Sequence, residues 1–149
     1  MKGYVKKMIR QISMFLKNQP GELAKIMSAF DDEDIRILAM CITDTNENGI
    51  FRVIVNNPVE AEATLKKINV NNHTSRVLIV EISELKKLFI EMNSNNLNVE
   101  YMYSLDDKHL VIKFDDLEKG YNSLLKLGYK LLTEDDIFLE ENNENRMER

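Results

Sequence analysis

Few residues in this 149-residue chain have the type and spacing that catalysis needs. The two histidines, His73 and His109, stand far apart, and neither has the nearby ligands of a transition-metal site. The lone cysteine, Cys41, lies in an apolar segment, where a small buried side chain is expected rather than a nucleophile. The chain also lacks a glycine-rich phosphate loop and a nucleophile elbow. The sequence therefore predicts no catalytic residues, no metal site and no cofactor.

The segment from Lys17 to Leu23 has a more specific physical logic. Pro20-Gly21 turns the chain sharply, and Gly21 allows a ligand to approach the backbone. The free N–H groups of Gly21, Glu22 and Leu23 would open a helix with partial positive charge, which suits a carboxylate. Asn18 adds an amide that both donates and accepts. The alternative, which the local sequence alone favours, is a plain strand-to-helix turn.

The elements that position this segment emerge from comparing the chain with itself. Adding 62 to the residue number superimposes the apolar positions of one helix on those of another, and adding 59 superimposes a second pair of helices. The first pair is Leu23, Ile26, Met27 and Phe30 on Leu85, Leu88, Phe89 and Met92. In the second, Leu65 and Ile68 fall on Leu124 and Leu127. Each set has the spacing of a helix with one apolar face.

Each copy reads strand, helix, strand, strand, helix, short strand. The first copy comprises Ile9–Leu16, Glu22–Phe30, Ile35–Thr43, Ile50–Asn56, Val59–Lys67 and a piece near Val70. The second comprises Val77–Ile82, Glu84–Met92, Val99–Ser104, His109–Phe114, Leu117–Lys126 and Tyr129–Leu132. The nearly continuous apolar run from Ile35 to Ile42 predicts a strand buried on both faces.

The predicted fold class is α+β, with two ferredoxin-like βαββαβ units in tandem and antiparallel sheets carrying their helices on one face. The predicted domains are residues 1–74 and 75–137, followed by an acidic, disordered tail at residues 138–149.

Charge and cysteine content narrow the function classes. The net charge is -5, and residues 133–149 alone hold seven acids and two bases, so the rest of the chain is neutral. A neutral body with an acidic end argues against nucleic acid or a membrane surface as the partner. The single cysteine and the lack of an apolar stretch of signal-peptide length predict a cytoplasmic protein.

Residues 12–24, followed by Ile35-Arg36-Ile37, resemble the ACT domain. Residues 97–103 and 131–134 resemble the second repeat of small stand-alone tandem ACT proteins. The resemblance covers residues 8 to 137, nearly the whole chain. It implies a regulatory module without enzymatic activity that binds a free amino acid, or a similar small metabolite, between ACT units.

The resemblance also implies a site. In the family, the loop after the first strand and the start of the first helix contact the ligand, and the second strand of a partner unit supplies the other side. The loop residues here are Asn18, Gln19, Pro20, Gly21, Glu22 and Leu23. The opposite wall is predicted at Asn98, Val99, Glu100 and Tyr101, with Arg36 as the first copy's equivalent position.

The second copy departs from the family pattern. Pairing Leu78 with Ile12 gives an offset of 66 rather than 62, so four residues equivalent to Lys17–Pro20 are missing. Ser83 replaces Gly21 there, which predicts one site per chain. Arg36 stands where the family usually has Asn; it alters ligand choice, abolishes the symmetric pairing seen in relatives, or simply faces solvent at the start of a strand.

The leading hypothesis is an amino-acid-sensing homodimer that acts on a separate biosynthetic enzyme or regulator. The alternative is a degenerate ACT pair that serves as a protein–protein interaction module without a small-molecule ligand. The missing second loop motivates that alternative.

Overall fold

The computed structural model describes residues 8–17, 19–44 and 48–138. The strands are β1 (Ile9–Lys17), β2 (Ile37–Asp44), β3 (Asn48–Val55), β4 (Asn72–Glu81), β5 (Val99–Ser104) and β6 (His109–Phe114). The helices are α1 (Glu22–Asp32), α2 (Pro58–Lys67), α3 (Leu85–Ser94) and α4 (Leu117–Lys126). Within these ranges, no helix is both long enough and apolar enough to cross a membrane.

The chain divides into two compact units. The first unit is Arg10–Ser75. The second consists of residues 76–138 together with Met8 and Ile9, two residues that the sequence prediction assigns to the first domain. The division falls inside β1 and inside β4, so both strands contribute residues to each unit.

The first unit has the strand order β2-β3-β1, all antiparallel. Alternate residues of β1 face the helices, because successive side chains of a strand point to opposite faces. Ile12 and Met14 pack in one buried cluster with Ile26 and Phe30 of α1 and with Leu65 of α2. This cluster packs β1 against both helices of the first unit.

The second unit repeats the arrangement with the order β4-β6-β5. Leu78 of β4, Leu88 of α3 and Leu124 of α4 are fully or almost fully buried in its core. The register confirms the predicted offsets, since Ile12 pairs with Val53 in the first unit and Leu78 with Ile112 in the second.

The repeat extends to the backbone of the connections. Asp34 and Asn96 both have positive φ, at 54° and 53°. The next residue donates a hydrogen bond back across the turn in both units. Ile35 N–H donates to the Phe30 carbonyl and Leu97 N–H to the Met92 carbonyl, each at 2.9 Å. Two copies of one βαββαβ unit therefore fold by the same local rules, and the predicted fold class is confirmed.

Several element limits differ from the prediction. No strand forms at Val70; residues 72–81 form one strand, where the sequence predicted two separate pieces. The predicted strand Tyr129–Leu132 is reduced to one isolated bridge between Leu131 and Val80. A helical turn at residues 134–138 follows, and Thr133 and Asp136 cap it reciprocally.

The predicted burial of both faces of residues 35–42 is wrong. Met40 and Ile42 are 60% and 53% exposed. The reason is the position of β2, which is the outermost strand of its unit. It has a neighbouring strand, β3, along one edge, and its other edge is open in the described part of the chain.

The predicted apolar helix faces are also only half buried. Ile26 and Phe30 are fully buried, whereas Leu23 and Met27 are 40% and 37% exposed. In α3, Leu85 and Phe89 are exposed at the equivalent positions.

Candidate functional site

A cleft of about 740 Å³ lies at one end of the first unit. The strand pairing creates it, because Lys17 pairs with Asn48, and Asp44 pairs with Gly49. The last residues of β1 and β2, the first residues of β3 and the start of α1 therefore meet at the same end of the sheet. The lining residues are Leu16, Lys17, Gln19, Pro20, Gly21, Glu22, Leu23, Ala24, Ile42, Thr43, Asp44, Asn48 and Gly49.

The loop between β1 and α1 has a conformation that requires glycine. Gln19 N–H donates to the Lys17 carbonyl at 2.8 Å, and Gly21 then adopts φ 93°, in the left-handed region. A Cβ on Gly21 would meet no atom within 4 Å. The glycine is therefore needed for its backbone angle, and the space beside it is open.

The residues that open α1 line the cleft, and no described side chain occupies their backbone donors. Gly21 is the N-cap residue, and the first helical bond runs from Lys25 N–H to its carbonyl at 3.0 Å. No side chain of the described residues caps this helix. In contrast, Asn57 caps α2 and Asp116 caps α4, with bonds to the third residue of each helix. Uncapped N–H groups with the helix dipole behind them favour an anion.

The cleft also carries side-chain charges of both signs on an apolar floor. Lys17 lies at the end of β1, Glu22 in the first turn of α1 and Asp44 at the end of β2. Leu16 is 7% exposed and contributes to the core as well as to the cleft. The arrangement can hold a small molecule that has a carboxylate, a cation and carbon surface.

Five of the six loop residues named by the sequence line this cleft together: Gln19, Pro20, Gly21, Glu22 and Leu23. Asn18 lies outside the described residues. The sequence reasoning missed the opposite wall, formed by residues 42–44, Asn48 and Gly49. The turn composition of residues 45–49 predicts a hairpin between β2 and β3, but it does not place that hairpin beside the end of β1.

Arg36 does not line the cleft of its own unit. Its N–H donates to Asn56 Oδ1 at 2.9 Å, just before β2, whereas the cleft lies at the end of β2. Seven to eight strand residues separate the two places, which at about 3.3 Å per residue is roughly 25 Å.

The other predicted wall, residues 98–101, lies in the second unit and does not line this cleft. Asn98 occupies there the position that Arg36 occupies in the first unit. Its carbonyl accepts from Asp115 N–H at 3.1 Å, as the Arg36 carbonyl accepts from Asn56 N–H at 3.1 Å. Asn98 Nδ2 also donates to Asp115 Oδ2 at 3.3 Å.

The family model described as ACT domain pair matches residues 7–140. The chain belongs to the ACT domain pair family. No curated protein matches it significantly.

Solved structures share this fold. Protein BT0572 from Bacteroides thetaiotaomicron is 26% identical, with a TM-score of 0.81 over 89% of this chain and 96% of that one. The ligand-free regulatory subunit of aspartate kinase from Thermus thermophilus is 15% identical, with a TM-score of 0.58 over 81% of this chain and 94% of that one. The corresponding subunit from Thermus flavus is 15% identical, with a TM-score of 0.57 over 78% and 90%.

The second ACT unit is four residues shorter between its first strand and its first helix: six residues separate Leu78 from Leu85, whereas ten separate the equivalent Ile12 and Leu23. β4 ends at Glu81 and α3 begins at Leu85, so three residues join them. The N-cap residue, Glu84, has an extended backbone with φ -139°, in contrast to the left-handed Gly21. The geometry that opens α1 to a cleft is therefore not repeated.

His109 lies beside this shortened connection. It pairs with Glu81 across β4 and β6, and its Nδ1 is 2.8 Å from Asp106 Oδ1. Burial alone would raise the pKa of Asp106, but hydrogen bonds from His109 and from Lys108 N–H outweigh that effect, and the pKa is lowered. Among the described residues, no group of three potential ligands could hold a metal ion.

Cys41, in β2 of the first ACT unit, is half-buried. Burial raises the pKa of its thiol, although the nearby Arg52 partly offsets this. A raised pKa lowers the thiolate fraction and so the reactivity of the thiol.

Proposed function

We propose that this ACT pair is a non-catalytic regulatory protein that binds a free α-amino acid in the cleft of its first unit. One observation carries the proposal most directly: the N–H groups that open α1, uncapped by any described side chain, belong to residues that line a cleft. They would bind the α-carboxylate, and the nearby carboxylates would bind the α-ammonium.

The proposal includes a second copy of the chain. In it, the start of β5, at Asn98, Val99, Glu100 and Tyr101, covers the cleft of the first copy, and binding then controls how the dimer acts on a separate enzyme or regulator. The cleft is open on its solvent side, and a covering wall would exclude water from the bound ligand.

The test is a thermal-shift scan of the purified protein against the common amino acids at millimolar concentration. A ligand at one hundred times its dissociation constant adds about 2.7 kcal/mol, which shifts the unfolding midpoint of a chain of this size by roughly 5–10 °C. We expect one chemical class of amino acid to give such a shift.

Two glycines offer a matched pair of variants. Gly21 and Gly128 both have left-handed φ, 93° and 90°, and neither has an atom within 4 Å of an added Cβ. Replacing either with Ala costs about 1–2 kcal/mol of backbone strain. Gly21→Ala should weaken ligand binding at least tenfold, whereas Gly128→Ala, outside the cleft, should leave it unchanged. Equal binding by both variants, or no stabilisation by any amino acid, would refute the proposal.

A second candidate function is a protein–protein interaction module without a small ligand. The observation that favours it is the exposure of Met40 and Ile42, since large apolar side chains on an outermost strand are typical of docking surfaces. This candidate predicts that no amino acid stabilises the protein. It also predicts that Met40→Glu changes the mass of the oligomer, measured by light scattering.

A further inference from the structure

The charges of the cleft indicate which side chain its ligand carries, an inference that rests on the proposed function. Among the described residues, Lys17, Glu22 and Asp44 are the ionisable groups that line it. Within the described part of the chain, no ion pair or hydrogen bond occupies the side chains of these three residues. Their charges are therefore all available to a ligand.

Every α-amino acid carries an α-carboxylate and an α-ammonium, so its binding requires one positively charged and one negatively charged place in the cleft. Its carboxylate is bound by the N–H groups that open α1, with Lys17 as a further cation in the cleft. Its α-ammonium is one carbon away, so it must lie close to the same end of α1, where Glu22 occupies the first turn. After these two pairings, Asp44 has no partner among the charged groups of the ligand backbone.

Asp44 lies on the other wall of the cleft, at the end of β2. Between the two walls, the cleft offers carbon surface from Leu16, Leu23 and Ile42. An alkyl chain can pack along such a surface while its charged end reaches a carboxylate. A neutral side chain would leave Asp44 without a partner, and an acidic one would be repelled by it.

We propose that the cleft selects a basic amino acid, whose side-chain cation pairs with Asp44 while its α-ammonium pairs with Glu22. The ligand class is thus a diamino acid or a guanidino amino acid, with an aliphatic stem between the two cationic groups.

Isothermal titration calorimetry with three probes tests this inference: L-lysine, L-norleucine and L-glutamate. Norleucine has nearly the shape of lysine but lacks the side-chain ammonium. We expect lysine to bind at least about tenfold tighter than norleucine, because a hydrogen bond to a charged group contributes that much or more. Glutamate should bind most weakly.

Variants assign the preference to residues. Asp44→Asn should reduce the lysine-to-norleucine preference to less than about threefold without weakening norleucine binding. Asp31→Asn is the matched control, since it removes the same charge from the far end of α1, outside the cleft, and should keep the full preference.

The outcomes separate this inference from the proposed function. If norleucine binds as tightly as lysine, and Gly21→Ala abolishes its binding, the basic ligand class is wrong and the amino-acid site stands. If lysine is preferred equally by the wild type and Asp44→Asn, the role of Asp44 is wrong. If none of the common amino acids binds, both proposals fail.

Discussion

At the residue scale, the two units use short polar side chains to fix turns, and the first uses a glycine to create an opening. Asn57 and Asp116 each close the start of a helix, whereas Gly21 leaves the start of α1 uncapped by described side chains. A capping side chain accepts a hydrogen bond from one of the first N–H groups of a helix, which have no partner inside the helix. Without a cap, these N–H groups can donate to a ligand. The start of α3 also lacks a side-chain cap from the described residues, so α1 differs from it in the left-handed Gly21 and in the cleft that its first residues line.

Asp106 gives a residue-scale prediction about pH. Its lowered pKa means that the ionised form is favoured in the folded state. The resulting stability is present above the unfolded pKa of about 3.9 and is lost as the pH falls through the lower, folded value. Asp106→Asn should therefore be less stable than the wild type at pH 7, by up to about 1 kcal/mol because the group is partly exposed.

Urea unfolding at pH 7, 5 and 3 measures this difference. The gap between the wild type and Asp106→Asn should narrow as the pH falls below about 4. Asp107→Asn, a substitution in the same turn, should follow the wild-type pH dependence. A gap that stays constant down to pH 3 would contradict the role given to the hydrogen bond with His109.

At the element scale, the packing of helix on strand tolerates little change in the second unit. Gly120 is a buried residue in the middle of α4, and a Cβ there would overlap the ring of Phe114 in β6. Glycine inside a helix ordinarily costs stability, so its presence here reflects the close approach of the two elements.

Gly120→Ala should therefore lower the free energy of unfolding. Overpacking costs about 1–3 kcal/mol, which exceeds the gain of up to about 1 kcal/mol in helix propensity. Chemical denaturation measures the change. The control is Gly49→Ala, whose added Cβ would lie 3.9 Å from the Leu16 Cβ, an ordinary contact, and which should not destabilise the protein. Equal stability of both variants would show that the Phe114 ring moves aside.

At the scale of the whole molecule, the chain is a repeat whose two copies have diverged at one connection. Registers, turns and buried positions recur in both units, and the loop between first strand and first helix does not. Selection for a core constrains buried positions in both copies, whereas a connection at the surface can lose four residues without exposing the core. The asymmetry is therefore local.

This asymmetry predicts the stoichiometry. A titration with a binding amino acid should saturate at one ligand per chain, because the second unit has three residues between β4 and α3 and no left-handed glycine there. Calorimetry measures the ratio directly, and Ser83→Gly should not change it. Saturation at two ligands per chain would contradict the loss of the second site.

The sequence by itself determined the repeat, the order of the elements and the loop residues of the cleft. Spacing of apolar residues and turn-forming residues encode these features locally, and β5, β6 and α4 have the predicted limits. The resemblance of residues 8 to 137 to a tandem ACT protein was also readable, and the family match over residues 7–140 confirms it.

The tertiary structure alone decided what is exposed and which residues lie opposite the loop. The apolar patterns of β2 and α1 do not say that Met40, Ile42 and Leu23 are uncovered, because cover depends on a strand's place in the sheet. The pairing of Lys17 with Asn48 likewise joins residues far apart in the chain, and it brings the hairpin pair of Asp44 and Gly49 to the end of β1. Such non-local pairs create the cleft, and with it the position of Asp44, the residue to which we assign the choice of ligand.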